Sequence, residues 1–234
     1  HVSIFSVLCV VLCMLTGMGL SASAQQAYFS LSKADFQLLV SAIVFAVLIV
    51  AIVLFLLIWV LPSALVVHLN LPRAWLLVAM CVAIAQVLVQ LVLTVLQTLE
   101  QIQVYSGIVT LQVVIVIVSA GVFYISESTH WEAAVLAQVS APMFTSLCAL
   151  IVLWRMGCLR IPTNFRLLRE ALKYSLPLVP HQVAGWSMAM VDRFIIVNSL
   201  GVTHAGVYSL SFQIAQSTNI ISNSFNQALV PILF

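Results

Sequence analysis

The chain has 234 residues, of which 64% are hydrophobic and only 6% charged, and its formal net charge is +2. An ordinary soluble domain has roughly 45 to 50% apolar and about 25% charged residues, so a water-soluble fold of this composition has nowhere to hide its apolar surface. The near-neutral balance, without a basic arm that would track a phosphate backbone, also excludes nucleic acid as an expected partner.

In chain order, apolar stretches of about 20 residues, the length that crosses hydrocarbon, predict seven spans. They run over 2–24, 38–61, 74–97, 104–126, 133–154, 174–199 and 205–230. All should be helices, because lipid offers no partner to an unpaired backbone group and no period-two alternation suggests a barrel. The expected fold class is all-α, a polytopic transmembrane helix bundle. The first span ends in "MGLSASAQQ", which has the small residues of a secretory cleavage site. No basic stretch precedes it, so it is read as a span. Because the chain starts at His1 and stops at Phe234 inside an apolar segment, it is expected to be a fragment.

Most of the five cysteines, Cys9, Cys13, Cys81, Cys148 and Cys158, lie in apolar runs. Cys9 and Cys13 share a helix face but have no nearby His or carboxylate, so packing is expected and no metal or cofactor is.

Orientation follows from the loops. The connection "RMGCLRIPTNFRLLREALK" holds Arg155, Arg160, Arg166, Arg169 and Lys173, five of the eight basic residues, and is placed on the cytoplasmic side. Alternation puts "SLSKADFQ" and "TLEQIQ" on that side too, and leaves Arg73 as the exception outside. The basic connection is the longest and contains Pro162, which makes it the expected boundary between two bundles: 1–154, a linker over 155–173, and 174–234.

Several spans carry polar residues at helical spacing. Gln86, Gln90, Thr94 and Gln97 share one side of the third, and Tyr105, Gln112, Ser119 and Ser126 recur every seven residues in the fourth. The seventh carries Ser209, Gln213, Gln216, Asn219, Asn223, Asn226 and Gln227 along one face. Isolated amides would serve as interhelical hydrogen bonds, each worth about 0.6 kcal/mol, whereas a whole stripe suits a water-filled cavity. In the sixth span Asp192 and Arg193 stand in an apolar run, where lipid would make each cost about 2.5 to 3.5 kcal/mol. Arg193 suits an anionic head group, and Asp192 an internal counter-ion or proton acceptor. The alternatives are a packing salt bridge or snorkelling of Arg193 to the outer interface. The same span opens with "YSLPLVPHQ", in which Pro177 and Pro180 fit a first turn and His181 is a candidate ligand or proton carrier.

Aligning His1 with His204 pairs "HVSIFSV" with "HAGVYSL", as a duplicated bundle would leave. The features "LKYSLPLVPH", "DRFII" with its following "LG", "AGVYSL" and "SFNQALVP" resemble the polysaccharide-transport flippases. These are the Wzx-type members of the multidrug/oligosaccharidyl-lipid/polysaccharide exporter superfamily, and the resemblance covers essentially the whole chain. It implies two pseudo-symmetric six-helix lobes around a central cavity, with this chain supplying the second to eighth helices and the basic connection as the lobe linker. It further implies an undecaprenyl-pyrophosphate-linked glycan as substrate, flipped between leaflets of the bacterial cytoplasmic membrane by alternating access. Membrane lipid and other polysaccharide-assembly membrane proteins are the implied partners. The cavity-lining candidates are then Arg193, Asp192, His181, Gln86, Gln90, Gln213, Asn219 and Asn223. A small-molecule exporter of the same superfamily is the alternative. A membrane glycan polymerase fits less well, since the outer loops are short and no nucleophile–base, phosphate-loop or metal spacing occurs, so the chain is not expected to be an enzyme.

Overall fold

A computed structural model describes residues 2–60, 73–125, 131–159 and 165–201, with part of 204–225; at some positions, Arg193 among them, it describes the backbone alone. The described residues form eight helices and no strand. In chain order these are α1 (Val2–Gly17), α2 (Leu20–Tyr28), α3 (Lys33–Val60), α4 (Arg73–Thr98), α5 (Ile102–Ile125), α6 (Trp131–Arg155), α7 (Phe165–Ser175) and α8 (Leu178–Leu200). The all-α helix bundle expected from composition is what the chain forms. Among the described residues four helices, α3 to α6, are long and apolar enough to cross a membrane, and α1 with α2 makes a fifth if the bent pair counts as one span.

The chain divides into two compact units, His1–Pro180 and His181–Phe234. In the first, α4 is the hub, packing against α1, α2, α3, α5 and α6. Two apolar clusters mark its opposite ends. One gathers Leu31, Leu99, Tyr105, Met156 and Leu167, from the connections α2–α3, α4–α5 and α6–α7. The other gathers Phe5, Ile58, Trp75 and Val135, from the far ends of α1, α3, α4 and α6. Lys33, Arg155, Arg166, Arg169 and Lys173 therefore collect at the first end, so the basic connections that alternation put on one side do share one end of this unit.

Local chemistry moves several element bounds from their expected places. The first span is not one helix to Ala24: it breaks at Met18 and Gly19, both left-handed (φ 42° and 67°), and resumes as α2 at an angle of 43°. Glycine enters this region without steric penalty, and Met18 is carried there with it. The helix α3 begins at Lys33 rather than Leu38, because the Ser32 Oγ accepts the Asp35 N–H at 3.2 Å and donates to Asp35 Oδ2 at 2.7 Å, an N-cap that draws the helix out beyond the apolar run. Two connections close on left-handed residues in Schellman fashion. At Gly157 (φ 73°) the Cys158 N–H reaches Leu153 O, and at Glu100 (φ 56°) the Gln101 N–H reaches Leu96 O, each at 2.9 Å.

The basic connection is not simply a loop. Its second half is α7, amphipathic with Ala171 and Ser175 buried and Arg166, Arg169, Glu170 and Lys173 exposed. The sixth span accordingly starts at Leu178 instead of Tyr174, after the turn at Leu176 and Pro177, and Pro180 occupies its first turn, where a missing N–H costs nothing. The seventh expected span lies largely outside the described residues, as do Arg160 and Pro162.

Candidate functional site

The polar stripe of the third expected span becomes the open edge of an enclosed helix. In α4, 61% of the most apolar stretch is buried, against 6% in α5. Around it Val82, Ala83, Val87, Leu88, Leu91, Val92, Val95 and Leu96 face neighbours. Gln86, Thr94 and Gln97 stay half-buried and Gln90 is exposed. The edge is partly self-satisfied, with Thr94 Oγ1 donating to Gln90 O at 2.9 Å and Thr98 Oγ1 to Thr94 O at 2.7 Å. Such i−4 bonds quiet the hydroxyls but leave the glutamine amides, each with two donors and an acceptor oxygen, to meet whatever occupies the open side.

The second stripe behaves differently. Tyr105, Gln112 and Ser119 lie half-buried on the side of α5 that carries Ile108, while Val113, Val114, Ile117 and Val118 are exposed. These polar groups turn toward protein, and Ser119 Oγ bonds the Ile115 carbonyl at 2.7 Å. Lipid-facing apolar residues and an inward polar seam are what a spanning helix at the edge of a bundle requires. Ser126 lies outside the described residues.

In the second unit, Asp192 sits in α8, exposed, 14 residues beyond Leu178 and so about 21 Å along the helix. Its Oδ2 accepts the Tyr208 hydroxyl at 3.0 Å, and the Tyr208 ring stacks on Phe212 with centroids 6.1 Å apart. The sequence reading missed Tyr208 as this partner. The signal lay in the register: α8 ends at Leu200, Gly201 is left-handed (φ 89°), and Asp192 and Tyr208 stand nearly equal distances on either side of that turn. The Trp186 indole was also missed; among the described residues its Nε1 is buried and meets no acceptor. Asn219 is exposed and donates to Gln216 Oε1 at 2.8 Å. His181 is exposed in the second turn of α8, away from Asp192. The Arg193 side chain, Gln213 and Asn223 lie outside the described residues.

The site residues thus fall into local groups: Gln86 with Gln90, Asp192 with Tyr208, and Asn219 with Gln216. No cluster of three or more His, Cys, Asp or Glu able to hold a metal occurs among the described residues. All five cysteines are free thiols, with Cys9 Sγ directed at the Ala79 carbonyl at 3.9 Å in a packing role.

A family model described as polysaccharide biosynthesis protein matches residues 2–234. The chain belongs to the polysaccharide biosynthesis protein family. Comparison with curated proteins and with solved structures found no match. Family membership and the apolar helices together make this a multi-pass membrane protein of polysaccharide biosynthesis.

Proposed function

We propose that the protein is a flippase that carries an oligosaccharide on an undecaprenyl pyrophosphate carrier from the inner to the outer leaflet of the bacterial cytoplasmic membrane. The observation that carries this reading is the open amide edge of α4, Gln86, Gln90, Thr94 and Gln97, on a helix whose other sides are enclosed. A sugar cannot shed its hydration in hydrocarbon without replacement hydrogen bonds. Glutamine and asparagine side chains supply both donors and acceptors at low charge cost.

In this reading the amides of α4 take the place of water around the glycan. Arg193 offsets the pyrophosphate charge. Asp192, held by Tyr208, serves as counter-ion to Arg193 or as a proton acceptor. The polyprenyl tail stays in lipid while two lobes rock about the cavity. The protein acts without covalent chemistry, as a transporter and not as an enzyme.

The test is leaflet-resolved labelling of lipid-linked glycan in a strain lacking the protein, complemented with the parent or with Asp192→Asn and Arg193→Gln variants that insert normally. Glycan should build up on the cytoplasmic leaflet without the protein and with each variant. Flipping by both variants at the parental rate would refute the roles given to these charges. An unchanged outer-leaflet pool in the deletion strain would sink the flippase reading and favour export of a small molecule.

A further inference from the structure

The helix α7 is accounted for neither by transport nor by the core alone. Its inward face is spent on protein: Ala171 and Ser175 are buried, and Leu167 and Leu172 pack against the cluster at the basic end, where α7 meets α2 and α3. Its outward face carries Arg166, Arg169 and Lys173 at spacings of three and four, which places them on one side of the helix. The single carboxylate among them, Glu170, is held by Arg166 Nε at 3.3 Å, with both side chains largely exposed. Three cations against one anion leave this face at +2.

The height of that face is set by its neighbours. The helix follows α6, which is long and apolar enough to cross a membrane, and its 11 residues extend only about 16 Å. Aromatic rings stand exposed at the same end: Phe29 after α2 and Trp154 at the end of α6, each 71% exposed, and Tyr174 in α7 at 42%. Of these, the Trp and Tyr rings, apolar with a polar tip, mark the head-group level. A cavity of about 150 Å³ lies between α7 and the α2–α3 corner, with Ser23, Gln26, Ser30, Tyr174 and the Arg166-paired Glu170 in its wall. The first four are neutral hydrogen-bonding groups, suited to a hydroxylated head group beside a cationic surface.

We infer that α7 is a docking surface for anionic phospholipid at the inner face of the membrane, with Arg166, Arg169 and Lys173 binding lipid phosphate. Its chemistry requires phosphodiester charge in the bilayer, and the inference stands independently of the transported substrate. The lipid binds the folded corner of α2, α3 and α7, so it stabilises that corner against local opening.

The experiment places the purified, intact protein in nanodiscs of phosphatidylcholine alone or of phosphatidylcholine with an equal part of phosphatidylglycerol, and follows amide hydrogen exchange over residues 165–175. Each surface cation near an anionic bilayer is worth about 1 kcal/mol, roughly fivefold, so three should slow exchange by more than about tenfold when phosphatidylglycerol is present. The R166Q/R169Q/K173Q variant should lose that slowing, and so should the parent in about 1 M salt, where the Debye length falls to about 3 Å. The charge-conserving R166K/R169K variant should retain it. Equal exchange in the two lipids, or slowing that survives in the glutamine variant, would overturn the inference. So would slowing that phosphatidylglycerol fails to produce and an added soluble membrane-protein extract supplies, which would assign the face to a protein.

Discussion

Gln90 in α4 and Ile117 in α5 are both exposed, and both lie eight residues, about 12 Å, from the nearer end of their helices at Thr98 and Ile125. Geometric exposure and depth are thus matched, and only the surrounding medium differs if the α4 edge lines a wet passage while α5 faces lipid. The perturbation is a single cysteine at either position, in a background with Cys9, Cys13, Cys81, Cys148 and Cys158 replaced by alanine or serine. Charge at the centre of a spanning helix in lipid costs about 2.5 to 3.5 kcal/mol. At about 1.36 kcal/mol per tenfold, thiolate at position 117 should be roughly 70- to 370-fold scarcer than at a hydrated position. Maleimide reacts through the thiolate, so a membrane-impermeant reagent applied to everted and right-side-out vesicles should label Gln90→Cys from at least one side at rates ~100-fold above Ile117→Cys. Labelling ratios within about threefold would mean that the α4 amides are as dry as the α5 surface. The hydrated edge, and the transport reading built on it, would then be wrong.

Other outcomes follow from single contacts. Ser41 is buried and its hydroxyl ties α3 to the Cys158 carbonyl beyond α6, beside the Gln37 Nε2 bond to Met156 O at 2.8 Å. Ser41→Ala removes a donor from a buried carbonyl and should cost about 1 to 3 kcal/mol in detergent unfolding; a change under about 0.3 kcal/mol would show the tie to be idle. Glu100 holds a left-handed conformation (φ 56°) that costs a non-glycine residue about 1 to 2 kcal/mol. Glu100→Gly should therefore raise stability by about 1 kcal/mol net of glycine's entropy, and a lower unfolding midpoint would contradict this. Tyr208→Phe removes the hydroxyl that Asp192 accepts while keeping the ring against Phe212, so the flipping rate should fall roughly fivefold at unchanged expression. An unaffected rate would separate Tyr208 from the function of Asp192.

Composition and apolar run length were enough to determine an all-helical membrane chain, because hydrocarbon admits no other way to satisfy this much backbone. Periodicity was enough to group Gln86 with Gln90, since 3.6 residues per turn puts them on one side regardless of neighbours. Loop charge was enough to bring the basic connections to one end, because alternate helices of a bundle must return there. Periodicity could not say which way a stripe faces: the α4 amides look outward from a crowded helix, whereas Tyr105, Gln112 and Ser119 turn inward from an exposed one. That difference depends on how many neighbours each helix has, a property of the assembly and not of the segment. Nor could local reading find the break at Met18 and Gly19, through which the apolar count runs on, or see that the second half of the basic connection is a helix reaching Ser175. The bend and the surface helix arise from backbone conformation and from packing against α2 and α3. Asp192 was conspicuous by its charge alone; its partner Tyr208 was decided only when the chain turned at Gly201 and brought two distant positions level.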